Sequence, residues 1–167
     1  MTVNAPSIAI RPLTPGDAAF LPEIVYYAIH VPPGAEPPSR TIINDPAVAR
    51  YWREWGRGGD FGLVAVDATE ARVGAAWMRL FTAADPGYGY IADNIPEISI
   101  ALLPGYRGRG VGAALIRGLI QHATGNYPAL SLSVVDANPA VRLYQRIGFK
   151  EVSRTGNSIT MRLDVER

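Results

Sequence analysis

Residues 104–115 read PGYRGRGVGAAL, placing Gly105, Gly108, Gly110 and Gly112 close together with Arg107 and Arg109 threaded between them. Glycine within regular structure costs about 1 kcal/mol relative to alanine, so this density predicts a backbone that something must approach closely. The Ala/Leu-rich run that follows predicts a helix. A helix N-terminus offers partial positive charge and unpaired N–H groups, and glycines let an anion reach them without a Cβ in the way. The chemistry in view is therefore phosphate binding, with guanidinium groups adding charge. Gly108, Gly110 and Ala113 also satisfy the loose dinucleotide fingerprint G-x-G-x-x-G/A. That fingerprint expects its first glycine directly after a strand, whereas Pro104, Gly105, Tyr106 and Arg107 intervene after Leu103. The lysine-bearing P-loop fails because no GK[ST] occurs.

Other residues could carry proton chemistry. Glu97 opens an apolar strand pattern, and a carboxylate there is either a base or a solvated or structural partner. Tyr144 falls on the apolar stripe Ala140, Leu143, Tyr144, Ile147, which on its own reads as a core tyrosine. Asn138 before Pro139 is a good helix N-cap. His30 ends the first helix beside a proline-rich loop, and His122 belongs to a helix pattern and is assigned no role. No metal site is read from these residues.

These side chains need a scaffold, and the chain alternates elements throughout. SIAIRP (7–12) predicts a strand, and Thr14, Pro15 and Asp17 open a first helix interrupted near Pro22. PPGAEPP (32–38) predicts a loop, after which Asp45-Pro46 caps a second helix turning Val48, Tyr51, Trp52 and Trp55 inward. Residues 61–66 and 71–81 predict adjacent strands joined around 67–70, followed by a polar loop through Tyr88 and Asp93. A strand at 97–103 leads into the glycines. The next helix runs from Val111 to about Thr124 on its 3.6-residue period. Strand 129–135, helix 138–149 and strands 150–155 and 158–163 complete a mixed α/β order.

Composition bounds the partner. With 167 residues, 48% hydrophobic and 19% charged, the expectation is a single domain over residues 1–167. A formal net charge of +1 supplies no global field for nucleic acid or an anionic membrane, so a small partner is expected. The absence of cysteine excludes disulfides, thiolate metal sites and a cysteine nucleophile. No N-terminal targeting pattern and no apolar run near about 18 residues is present, which leads to a cytoplasmic expectation.

Arg107-Gly108-Arg109-Gly110-Val111-Gly112 resembles the R/Q-x-x-G-x-G/A signature of the GCN5-related N-acetyltransferase (GNAT) family. Asn138-Pro139-Ala140, Leu143-Tyr144 and Gly148-Phe149 are similar to that family's N-x-x-A-x-x-L-Y-x-x-x-G-F segment, except that Val141 stands where the pattern has alanine. The resemblance implies a central mixed, mostly antiparallel sheet with splayed strands flanked by helices. It implies acetyl-CoA as cosubstrate, its pantetheine paired with the main chain of Leu102 and Leu103, and the Leu102 amide facing the thioester oxygen. It places pyrophosphate on the amides of Arg109, Gly110, Val111 and Gly112, with Arg107 and Gly108 in the same loop and Asn138 beside the CoA arm. It makes Tyr144 the acid that protonates the departing thiolate and Glu97 the candidate base.

The expected activity is transfer of an acetyl group to a primary amine by direct attack in a ternary complex. The alternative is a non-catalytic acyl-CoA-binding sensor of the same fold. The acceptor, a small molecule or a peptide amine, stays open, as does a homodimer. Its wall is expected from the loop after the first helix, Trp77 and Arg79, and residues 88–94, with Asp85, Asp93 and Glu97 as available acids.

Overall fold

The computed structural model describes residues 7–165; residues 1–6 and 166–167 of the expected 1–167 unit lie outside it. Seven strands, β1 (Ala9–Pro12), β2 (Phe61–Val66), β3 (Arg72–Arg79), β4 (Glu97–Leu102), β5 (Ala129–Val135), β6 (Lys150–Thr155) and β7 (Ser158–Asp164), join one sheet in the order β1-β2-β3-β4-β5-β7-β6. Every neighbouring pair is antiparallel except β4 and β5. The helices are α1 (Leu21–Ala28), α2 (Pro46–Ala49), α3 (Val111–Ala123) and α4 (Ala140–Ile147).

The two faces of the sheet bury different clusters because successive strand residues point to opposite sides. Met78, Ile98, Leu130 and Leu132 pack with Leu115, Ile116 and Leu119 of α3 and with Tyr144 of α4. On the other face Ala75 and Trp77 pack against Leu21, Ile24 and Val25 of α1. This second face also receives Arg79 and Glu97, which are register partners at the end of β3 and the start of β4.

The first helical segment is a 3-10 helix at Pro15–Phe20 that becomes α1 at Leu21, and Pro22, lacking an N–H, sits at the changeover. The expected second helix is shorter than its sequence pattern. Asp45 Oδ1 accepts from Ala47 N–H and Pro46 begins α2, but the regular helix ends at Ala49. The carbonyls of Arg50, Arg53 and Glu54 accept instead from the Arg79 guanidinium, and Glu54 takes a left-handed φ of 55°. Tertiary hydrogen bonding outcompetes the helix there. The strand expected at 71–81 closes at Arg79 for the same reason, because its last residue is committed to that segment.

Register shifts at Ala65/Val66 and Glu151/Ser153 are local, whereas the β4–β5 junction departs from regularity along its length. β3 and β4 pair over six positions, whereas β4 and β5 pair only at Glu97 with Ser131. The two strands part from that point on. Strand alternation then decides which groups face the gap. Leu103 N–H bonds to Val73 O on β3 at 2.8 Å and Pro96 O accepts from Ser131 N–H at 3.0 Å. By period two, the main-chain groups of Ile100 and Leu102 turn toward the split.

Candidate active site

At the open end of the split, β4 runs into residues 104–110 and then α3. Gly105, Gly108 and Gly110 have φ of 94°, 75° and 79°, a region that disfavours side chains, and a Cβ on any of them would meet nothing within 4 Å. Backbone conformation, with open space in front of it, is what glycine supplies here. Gly110 caps α3 without a side chain, and the first helical bond runs from Ala114 N–H to Gly110 O at 3.2 Å. The N–H groups of Val111, Gly112 and Ala113 therefore open the helix with no capping side chain over them. Arg107 and Arg109 are exposed, and among the described residues neither forms an ion pair. The Arg109 guanidinium lies 5.6 Å from the Tyr106 ring centroid.

Gly112 marks where three elements converge, since a Cβ there would touch Leu143 Cδ2 of α4 at 3.7 Å and Ile100 Cδ1 of β4 at 3.8 Å. α4 is thereby held at the side of the split, and Tyr144 follows Leu143. Tyr144 is buried, packs edge-on against Phe149 at 6.0 Å, and among the described residues its hydroxyl has no hydrogen-bond partner. Burial pushes that hydroxyl up to about 12, so it carries its proton throughout the neutral range. Asn138 caps α4 through Oδ1, which accepts from Ala140 N–H at 2.9 Å. It also lines a hollow of about 400 Å³ with Asp136, Pro139, Arg142 and Gln145. Leu102 and Leu103 are not equivalent: the main chain of Leu102 faces the split, whereas Leu103 donates to Val73 O and accepts from Tyr106 N–H.

Glu97 sits at the vertex, 2% exposed, on the opposite face of the sheet from Tyr144. Its Oε1 accepts from Tyr51 Oη at 2.8 Å and from Gly89 N–H at 2.8 Å. Tyr51 Oη in turn accepts from Tyr88 N–H at 2.6 Å, which fixes its own hydrogen toward Glu97. The loop closes tightly: a Cβ on Gly87 would lie 2.0 Å from Oε2, and one on Gly89 2.8 Å from Oε1. Only glycine permits that approach. Burial pushes the Glu97 carboxyl up to about 7, against the opposing pull of the Tyr51 and Gly89 donors. The same burial, with the neighbouring carboxylate, drives the Tyr51 hydroxyl far above its ordinary range and keeps it a donor.

Tyr51 and the two loop glycines are the residues that sequence reasoning missed. The helical pattern turned Tyr51 inward correctly, but nothing local shows that its hydroxyl meets a residue 46 positions away.

Two residues expected in the acceptor wall are structural. Trp77 is fully buried and donates from Nε1 to Tyr51 O at 2.9 Å. Arg79 is 1% exposed and engaged by Asp60 at 2.8 and 3.0 Å and by three carbonyls, leaving it no free donor geometry for a ligand. Asp85 pairs with Arg50 at 3.0 Å, and Asp93 Oδ1 accepts from Tyr90 Oη and Ala83 N–H. His30 is half-buried after α1. The proline-rich loop is pinned by Tyr26 Oη donating to Pro38 O at 2.8 Å, with the Arg40 guanidinium 4.6 Å from the Tyr26 ring. His122 stacks on Phe61 at 3.6 Å beside a hollow of about 660 Å³ lined by Ile10, Leu63, Arg117 and Gln121, which includes none of the expected site residues.

The model of the Acetyltransferase (GNAT) family matches residues 32–149, which span the split, the glycine loop and α4. A search of curated proteins found no match. Among solved structures, yncA from Salmonella typhimurium, solved with acetyl-CoA, has a TM-score of 0.69 at 22% identity, covering 96% of this chain and 95% of that one. The GNAT superfamily phosphinothricin acetyltransferase of Sinorhizobium meliloti, in complex with acetyl-CoA, gives 0.65 at 20% identity, covering 95% and 89%. A GCN5-related N-acetyltransferase from Kribbella flavida gives 0.65 at 23% identity, covering 94% and 97%. At these identities the likeness is one of fold: a seven-stranded mixed sheet flanked by helices.

Proposed function

Because the chain belongs to the GNAT family of acetyltransferases, we propose that it is an acetyl-CoA-dependent N-acetyltransferase that acylates a primary amine by direct attack in a ternary complex. The observation that supports this most is the split between β4 and β5, which pair only at Glu97 and Ser131 and leave the Leu102 main chain facing the gap. The residues fit acetyl-CoA. The uncapped N-terminus of α3, its left-handed glycines with open space before them, and the free guanidinium groups of Arg107 and Arg109 suit a pyrophosphate. The Leu102 amide is suited to an oxyanion, and Asn138, beside α4, to the CoA arm.

Acetyl-CoA supplies the thioester. An acceptor amine arrives mostly protonated at neutral pH, and Glu97, with its pKa near 7, removes that proton directly or through water. Tyr144, protonated at that pH, donates to the departing thiolate from the other face of the sheet. The absence of cysteine agrees with attack without an acyl-cysteine intermediate. The Kribbella flavida neighbour is named a GCN5-related N-acetyltransferase, which agrees with an amine acceptor here. We take residues 1–167 as one functional unit.

The test is calorimetric titration with acetyl-CoA, followed by thiol release from acetyl-CoA against small primary amines and lysine peptides. Binding with release that depends on the amine supports the reading. Tight binding without release to any of them favours the sensor alternative, and absence of binding overturns both.

A further inference from the structure

Among the described residues, two side-chain polar atoms fully shut off from solvent have no hydrogen-bond partner: Glu97 Oε2 and Ser131 Oγ. They belong to the one register pair that joins β4 to β5, at the vertex where the strands part. Paired residues on adjacent strands point to the same face, so both side chains leave the sheet on the side of Trp77 and Arg79. Glu97 is 2% and Ser131 0% exposed. An orphaned buried polar group costs about 1–3 kcal/mol, and native structures satisfy such groups with a ligand atom or an ordered water. Two orphans on one register pair therefore mark a polar site. A Cβ on Gly89 would lie 2.8 Å from Oε1 and 2.7 Å from the carbonyl carbon of Leu132, the neighbour of Ser131, so the Gly89 backbone packs against both the carboxyl and β5.

We infer that Ser131 is a positioning residue for Glu97, its hydroxyl holding against Oε2 the water through which Glu97 deprotonates the acceptor amine. The inference rests on the reading of Glu97 as base. Oε1 already accepts from Tyr51 and Gly89, so the proton goes to Oε2. One N–H bond of the ammonium breaks and its proton passes to the water, while a proton of that water passes to Oε2. The amine is left neutral with its lone pair, the carboxyl is neutral, and Ser131 keeps its own proton. The other charged groups facing this vertex have partners of their own, although the Arg50 charge also pulls the Glu97 pKa down. Arg50, after α2, pairs with Asp85; Arg79, opposite Glu97 on β3, pairs with Asp60; Arg162, opposite Ser131 on β7, pairs with Asp164. Tyr51 and the Tyr88 N–H act on the Oε1 side.

The experiment compares wild type, Ser131→Ala and Glu97→Gln by three readouts. These are the Glu97 titration midpoint from glutamate 13Cδ shifts, the thermal midpoint, and thiol release from acetyl-CoA with the most active primary amine. Without Ser131 the water is no longer held as a donor to Oε2, and a donor lost from a carboxylate raises its pKa, so Ser131→Ala is expected to raise the Glu97 midpoint by about half a unit or more. It is also expected to lower kcat roughly fivefold or more with KM for acetyl-CoA unchanged. An unchanged Glu97 midpoint in folded Ser131→Ala overturns the inference, whatever the rate does. If Glu97→Gln keeps wild-type turnover across the pH range, the base reading falls, and the inference with it. If Glu97→Gln is slow while Ser131→Ala titrates and turns over as wild type, the inference alone falls. Should Ser131→Ala fold poorly, Ser131→Cys, similar in size with a weaker donor, is read by the same criteria.

Discussion

At the residue scale the proposed acid and base are separated by environment and by the sheet itself. Burial alone would strip charge from both, but Glu97 keeps two donors on Oε1 and settles near 7, whereas Tyr144 has burial only and rises to about 12. Glu97→Gln is expected to lower the rate by about 10²-fold at and just above pH 7, where wild-type Glu97 is ionised and the amine still protonated, and by less at lower pH, where Glu97 itself holds a proton. Much of the loss should return as the pH rises and the amine loses its proton unaided; a deficit independent of pH would instead mark a structural role. Tyr144→Phe keeps the ring that packs on Phe149 and deletes only the hydroxyl. Turnover should fall by about 10²-fold with acetyl-CoA affinity nearly intact, and wild-type turnover across the pH range would return Tyr144 to packing.

At the element scale, Arg79 organises more backbone than α2 does. Its guanidinium holds the carbonyls of Arg50, Arg53 and Glu54 and pairs with Asp60, whose side chain is 2% exposed, and so fixes the segment that presents Tyr51. Arg79→Met would leave a buried carboxylate and three acceptors without their cation. The expected cost is about 3–5 kcal/mol in urea unfolding, and a loss below about 1 kcal/mol would show that the segment is held otherwise. The loop before α3 calls for a different probe. Gly108 and Gly110 have φ of 75° and 79°, so a side chain there would strain the backbone before it met a ligand. The exposed arginines are cleaner: Arg107→Ala with Arg109→Ala should weaken acetyl-CoA binding about tenfold at low salt, and by less as salt screens the wild-type contact. An unchanged dissociation constant would remove the phosphate role from both.

At the scale of the whole molecule, two carboxylates pull stability in opposite directions along the pH axis. Asp17, bonded foremost by Arg11 and also by Thr14 and Arg72, ties β1 and β3 to the first helical segment, and its pKa is depressed well below the usual carboxylate range. Its contribution is present above the unfolded pKa of about 4 and is lost as pH falls below that. Glu97 behaves oppositely. Its folded pKa of about 7 exceeds the ordinary glutamate value of 4.5, so the native state binds the extra proton and stability falls as pH rises between them. The shift corresponds to about 3 kcal/mol. Thermal midpoints should therefore decline from pH 5 to 7.5 in wild type, and Glu97→Gln should flatten that decline. An equal slope in both would place the titrating group elsewhere. No helix among the described residues is long and apolar enough to cross a membrane.

Local physics settled much of this protein in advance. Short apolar or alternating runs between turn residues located the seven strands, and the 3.6-residue period located α3, which buries one face. The glycines before α3 announced a backbone open to a ligand, because left-handed φ leaves few other choices. Glu97 and Tyr144 could be named only as candidates, from residue type, position and the family resemblance. Other features belonged to tertiary structure. The carbonyls that ended α2 early were claimed by Arg79 from β3, and no propensity along residues 46–56 encodes a donor that arrives from another strand. The split between β4 and β5 is a relation between segments whose paired residues lie 34 positions apart, each of which reads as an ordinary strand. The pKa of Glu97, the donor role of Tyr51 and the orphaned hydroxyl of Ser131 all follow from burial at that vertex. Burial is a property of what the rest of the chain lays over a residue, and only folding decides it.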